Sequence, residues 1–283
     1  MSKRRPFGIS TQLFHAERLA RQHLREIGAH GFEVLELFAT RTHLDYSNPA
    51  CIADLQGWLG EAGVTLTSVH GPVSDSFTGG RWQSRLSLAS PDPALRQQAV
   101  AETELALQIA RRIEYRVLVI HLGVPKTPHS GPGENSRDAA RRSVDELQRL
   151  AEPLGVTLAL EVTSNELSRP ASLVHFVENV VDGPPPGICL DFGHAHLDGD
   201  VADAIETVSE HLIAAHVHDN RGRISDHLLP FDGTIEWPAA LTALQKVGYD
   251  GPLIFEVTAT GTPKATLQKL KDIRRRMEGM LAV

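Results

Sequence analysis

The sequence predicts a closed (β/α)8 barrel, on three observations. Short apolar runs alternate with segments of helical period eight times along the 283 residues, as expected where parallel strands are joined by helical crossovers. No compositional break or linker divides them, so residues 1–283 read as a single barrel domain, of a size such barrels commonly reach. Polar groups stand at the ends of most apolar runs. That spread favours the shared mouth of a barrel over the single switch point of a doubly wound open sheet.

Taken in order, residues 7–14 (FGISTQLF) read as a first strand and 16–27 as a helix with Leu19, Leu24 and Ile27 on its inner face. Gly28 and Gly31 turn the chain into the strand 32–39, where Glu36 sits in an apolar context. A helix over 49–62 stops at Gly63, and the strand 64–69 runs into His70. The polar stretch 71–91 is a long loop of the kind that often serves as a functional lid, and its Trp82 either covers a ligand or anchors the loop. Asp92-Pro93 opens a helix over 92–112, with Leu95, Val100, Leu105 and Ile109 at helical spacing. The strand 115–120 then ends in His121, and a Gly/Pro-rich loop over 124–133 leads to a helix over 135–154. Next come VTLALEV with Glu161, a helix near 170–181, GICLD with Asp191, a helix near 201–211, and LIAAHVH with His216 and His218. A second long loop (220–236), a helix over 237–247, PLIFEV with Glu256 and a basic closing helix over 263–280 complete the series.

The net charge of −7 is the wrong sign for tight contact with a phosphate backbone and argues against a nucleic-acid partner. The basic start, MSKRRPFGIS, leads into no apolar signal core, and no stretch is long enough to span a bilayer. Two cysteines, Cys51 and Cys189, make no disulfide framework and fit a reducing cytoplasm. Cys189 shares parity with Asp191 and is expected to point the same way, as a packed thiol. Periodicity does not separate a dimer face from core, which leaves a homo-oligomer open.

In a barrel the C-terminal strand ends face one mouth, so Glu36, His70, His121, Glu161, Asp191, His216 and Glu256 should converge. Glu36 reads equally well as a carboxylate paired within the core. Carboxylates at such density raise one another's pKa values unless a cation holds them. Oxygen and imidazole nitrogen without thiolate suit Mn²⁺, Mg²⁺, Co²⁺ or Zn²⁺.

The ordered endings SVHGP, VIHLG, LEVTSN, CLDFGHAH, HVHDN with SDHLLPFDGTIEW downstream, and IFEVT resemble the xylose-isomerase-like TIM barrels, from Phe7 to about Val257. That superfamily holds sugar isomerases and epimerases as well as the endonuclease IV type of abasic-site nuclease. The resemblance implies a single divalent-metal site at Glu161, Asp191, His216 and Glu256, with Glu161 and Glu256 also moving protons and His194 contacting substrate oxygens. It implies further that His70, His121 and His227 match positions that hold additional ions in the nuclease branch. The pattern departs at Ser225, which stands where that branch carries an acid two residues before His227, and at Phe231-Asp232-Gly233, which replaces a glycine-acid-glycine. Substrate-binding candidates are His70, His121, His194, His218, Arg221 and Trp82, with Arg223 beside them.

A metal that chelates a carbonyl and a neighbouring hydroxyl acidifies the C–H between them, and a carboxylate can then take the proton for return to the next carbon or the opposite face. The first reading is therefore a divalent-metal-dependent isomerase or epimerase of a small sugar, sugar phosphate or polyol. An inosose-type dehydratase uses the same chemistry, an endonuclease IV-like phosphodiesterase on abasic DNA shares the histidines, and a non-catalytic sugar-binding barrel is the third class.

Overall fold

The computed structural model describes residues 5–125 and 133–281. Eight parallel strands close a barrel: β1 (Phe7–Ser10), β2 (Val34–Phe38), β3 (Thr65–His70), β6 (Val117–Ile120), β7 (Thr157–Glu161), β8 (Gly187–Asp191), β9 (Leu212–Val217) and β10 (Leu253–Phe255). Each neighbours the next in chain order, and β1 closes on β10 with Ile9 opposite Phe255. Between β3 and β6 the chain adds a hairpin of β4 (Phe77–Thr78) and β5 (Arg81–Trp82).

The helices form where local chemistry starts and stops them. Helix α1 spans Arg21–Ala29, and α2, Pro49–Ala62, is capped by the Asn48 side chain and stopped by Gly63 at φ 64°. Asp92 caps α3 (Pro93–Leu107) and Ser136 caps α4 (Arg137–Ala151). The remaining helices are α5 (Pro170–Asn179), α6 (Phe192–Asp198), α7 (Val201–Val208), α8 (Trp237–Lys246) and α9 (Pro263–Leu281). Their buried faces pack on the outside of the strands in a continuous apolar layer that includes Leu24, Leu55, Leu107, Leu147, Phe176, Leu244 and Leu270.

Inside the barrel, period-two alternation sorts the residues into tiers. Val119, Ala159, Cys189 and Ala214 make a small apolar plug. One step further along the strands, at the same parity, stand Glu161, Asp191 and His216. Two register shifts bear on this upper tier. One, between Leu35 and Glu36, sets Glu36 opposite Ser68, and the other, between Ile188 and Cys189, sets Asp191 opposite His216. Such bulges re-aim side chains next to sites.

Three expectations change and a fourth lies largely outside the described residues. Strand β1 ends at Ser10 and a 3-10 turn covers Thr11–Phe14, because Ser10 Oγ accepts the Gln12 N–H and diverts the chain. The first helix starts at Arg21 rather than 16, although Leu19, Leu24 and Ile27 are buried as expected. Leu95 is 55% exposed, so it lies off the buried face of α3. Of the expected loop 124–133, residues 126–132 lie outside the described ones. Among the described residues no helix is long and apolar enough to cross a membrane.

Candidate metal centre and barrel mouth

The centre forms around His216 Nδ1. Glu256 Oε2 lies 2.8 Å from it, Glu161 Oε1 3.4 Å and Asp191 Oδ2 4.0 Å. All four side chains are buried. Each is brought there by its strand: Glu161 closes β7, Asp191 closes β8, His216 lies near the end of β9, and Glu256 follows β10 directly.

The carboxylates are held by their other oxygens. Glu161 Oε2 meets Nε2 of both His70 and His121, each at 3.0 Å. Asp191 Oδ1 accepts the His194 backbone N–H at 2.6 Å, because Asp191 is the N-cap of α6, and lies 2.9 Å from His218 Nε2. That leaves Asp191 Oδ2 and Glu256 Oε2 buried, with no hydrogen-bond partner among the described residues beyond their shared approach to His216 Nδ1. Orphaned buried carboxylate oxygens are costly, and two of them aimed with Glu161 Oε1 at one imidazole nitrogen fit a divalent cation. Three oxygens and one nitrogen without thiolate would hold it.

Electrostatics agree with the geometry. Burial alone would raise the carboxyls, but the imidazoles outweigh it. His121, His216 and His70 hold Glu161 well below the usual range, His218 and His194 depress Asp191, and His216 brings Glu256 down to about 2. Against the same burial, Glu161, Glu256 and Glu36 lift His70 to about 9. At the rim the balance reverses. Desolvation lowers His194, and it takes His227 to about 4, which keeps both rings neutral.

The rim histidines pack together. His218 stacks on His227 with centroids 3.9 Å apart, and His194 approaches both edge-on at 6.0 and 6.2 Å. Gly193 makes this possible, since a Cβ there would lie 1.9 Å from the His218 ring. His227 takes a left-handed backbone (φ 48°), and its Nδ1 lies 2.9 Å from the Glu256 carbonyl oxygen.

The opposite wall is aromatic. From His70 the rings run to Phe38 (4.9 Å), to Trp82 (5.7 Å), and on to His15 (5.2 Å) and Phe77 (4.8 Å). Trp82 is 38% exposed at the outer end of this row. Arg221 and Arg223 are not brought to the centre. Both are exposed, and among the described residues Arg221 donates only to the Asp232 carbonyl of its own loop, at 3.5 Å. Ser225 Oγ is buried without a partner.

Sequence reasoning missed Asp219 and Asn220. The Asp219 carboxylate accepts the backbone N–H groups of Asn220, Ile235 and Phe231 and the Trp237 indole N–H, at 2.8, 3.2, 3.0 and 2.8 Å. Asn220 donates to the Gly193 carbonyl at 2.7 Å. The available signal was the Asp-Asn pair directly after an apolar strand, where side chains commonly organise turns. It missed α6 as well, though Asp191 two residues before Gly193 is an ordinary cap.

The family of xylose isomerase-like TIM barrels matches residues 22–278, and the chain belongs to it. Among curated proteins, L-ribulose-5-phosphate 3-epimerase UlaE of Salmonella paratyphi A is 26% identical over 290 residues, covering 98% of this chain and 96% of the relative. D-psicose 3-epimerase of Ruminiclostridium cellulolyticum is 27% identical over 265 residues, covering 89% and 83%. Among solved structures, a D-tagatose 3-epimerase-like protein superposes with a TM-score of 0.78 at 25% identity, over 98% of this chain and 100% of the other.

Proposed function

We propose that the protein is a divalent-metal-dependent sugar epimerase that inverts a carbon next to a ketose carbonyl. The carrying observation is that Glu161 Oε1 and Glu256 Oε2 flank one imidazole nitrogen with Asp191 Oδ2 beside them, an arrangement suited to one cation and two proton carriers. The named relatives, which are epimerases of ribulose 5-phosphate and psicose, support the same class of reaction.

The cation supplies Lewis acidity, polarising a carbonyl and its neighbouring hydroxyl so that the C–H between them becomes acidic. The chain does the rest. One of Glu161 and Glu256, as the carboxylate, takes the proton from one face, and the other, as the carboxylic acid, gives its own proton to the opposite face. His70 and His121 keep Glu161 Oε2 occupied, so its Oε1 alone turns to the centre. His194 and His227, neutral at the rim, can donate to or accept from substrate hydroxyls, and His218 fixes Asp191. The row from Phe38 to Trp82 offers ring faces to the C–H edges of the sugar.

An abasic-DNA nuclease shares His70, His121 and His227, but a net charge of −7 and Ser225 in place of an acid oppose that reading. The test is incubation with ketoses and ketose 5-phosphates in D₂O with Mn²⁺, read by NMR. We expect deuterium at carbon 3 in both recovered substrate and product, abolished by chelation. Chelation-insensitive exchange, or no exchange with any ketose of either set, would overturn the reading.

A further inference from the structure

Glu36 is a fully buried carboxylate that the proposed chemistry does not use. It stands on β2 across the interior from Glu161, and no lysine or arginine among the described residues pairs with it. Its oxygens meet two groups. Ser68 Oγ donates to Oε2 at 2.8 Å, and His216 Nε2 lies 3.0 Å from Oε1 and 3.1 Å from Oε2.

His216 is therefore held between two sets of carboxylates, Glu36 at Nε2 and the metal-centre oxygens at Nδ1. A neutral imidazole carries one N–H, and which nitrogen bears it is set by the partner of the other. A carboxylate accepts and cannot donate, so once a cation takes the Glu256, Glu161 and Asp191 oxygens that face Nδ1, Glu36 holds the ring N–H on Nε2 and the Nδ1 electron pair is left for that cation. The register shift in front of Glu36 brings Ser68 rather than Thr67 opposite it, and that Ser68 hydroxyl fixes the carboxylate in turn.

We propose that Glu36, braced by Ser68, is a positioning residue that locks His216 as its Nε2–H tautomer and presents Nδ1 to the metal. This rests on the metal-centre reading above, yet it concerns metal binding alone and can fail or stand independently of turnover.

The experiment measures Zn²⁺ affinity by chelator competition in the wild type and in Glu36→Gln, Glu36→Leu and Ser68→Ala, with the ¹⁵N ring shifts of Zn²⁺-loaded wild-type protein alongside. Removing such an outer partner typically costs ~10–100-fold in metal affinity. Glu36→Leu should lose about that much, Ser68→Ala a few-fold, and Glu36→Gln should recover most of the loss, since its amide oxygen still accepts from Nε2–H. A merely structural role would lower thermal stability and leave the affinity of the folded fraction unchanged. Affinities within about two-fold of wild type for folded Glu36→Leu and Ser68→Ala would overturn the proposal. So would ring shifts showing the His216 proton on Nδ1, a readout that needs no variant to fold. Tight Zn²⁺ binding with the expected variant series but no ketose exchange would sink the epimerase reading and leave this one standing.

Discussion

Two long loops border the barrel mouth, and their inner parts are held in different ways. The loop 220–236 is clasped by a buried carboxylate, Asp219, through three hydrogen bonds to its own backbone and a fourth to Trp237 at the start of α8, and it carries His227 to the back of Glu256. The loop 71–91 is tied at its ends, where the Gly71 N–H donates to the Val119 carbonyl and the Leu88 and Ala89 carbonyls accept from Ser143 Oγ and the Ser136 N–H, but its tip is steadied by ring contacts of Phe77 and Trp82 with His15 and Phe38 and by one hydrogen bond from the Phe77 N–H to the Thr42 hydroxyl. Buried hydrogen bonds to a charged group are directional and contribute ~1.5–3 kcal/mol each, whereas aromatic pairs contribute ~0.5–1.5 and tolerate sliding. The first loop therefore belongs with the fixed strand-end floor, and the tip of the second is the more adaptable side of the mouth.

The floor should fail first and hardest. Glu161→Gln and Glu256→Gln each remove a proton carrier, with kcat expected to fall at least ~10³-fold while the circular dichroism spectrum is retained. Near-wild-type turnover in either variant would end the two-carboxylate account.

The clasped loop comes next. Asp219→Asn replaces one acceptor oxygen by an amide that points hydrogens at buried N–H donors, so unfolding in urea should show a loss of about 2–4 kcal/mol. Protease cleavage should appear within 220–236. Uncleaved protein of unchanged stability would show that the two loops do not differ as described.

The stacked loop should respond mildly. Trp82→Ala removes the outer ring of the row, and KM should rise several-fold with kcat changed by less than about three-fold. An equal fall in kcat would place Trp82 on the reacting carbons instead.

A separate, pH-dependent effect lies outside the mouth. Burial, helped by the neighbouring His23 and His15, pushes His43 down to about 4, and its Nδ1 lies 2.7 Å from the Glu17 carbonyl oxygen. Its folded pKa lies below the ordinary value of about 6.5, so its contribution is present above that pH and is lost as pH falls towards 4. That loss is worth up to about 3 kcal/mol, and His43→Gln should flatten this part of the stability–pH curve. An unchanged slope would mean that the folded ring takes up its proton over the same pH range as in the unfolded chain.

The strand ends were legible because a carboxylate or imidazole closing an apolar run is a local pattern, and the barrel follows from eight such runs. Glu161, Asp191, His216 and Glu256 could be placed at one mouth by counting strands alone. The sequence does not display register. Nothing local marks the shift that sets Glu36 opposite Ser68, so Glu36 remained divided between core and site. Nor does it display which carboxylate oxygen is taken, because that depends on His70 and His121 arriving at Glu161 from two other strands. The arginines of the second loop read by type as substrate ligands or as solvated surface, and both are exposed.

The most direct test of the central claim is a crystal of the Mn²⁺-loaded protein with anomalous scattering, matched to metal content in solution. The account predicts one ion per chain, bounded by Glu161, Asp191, His216 and Glu256. An empty centre with those four side chains still gathered, or two or three ions distributed over His70, His121 and His227, would contradict it.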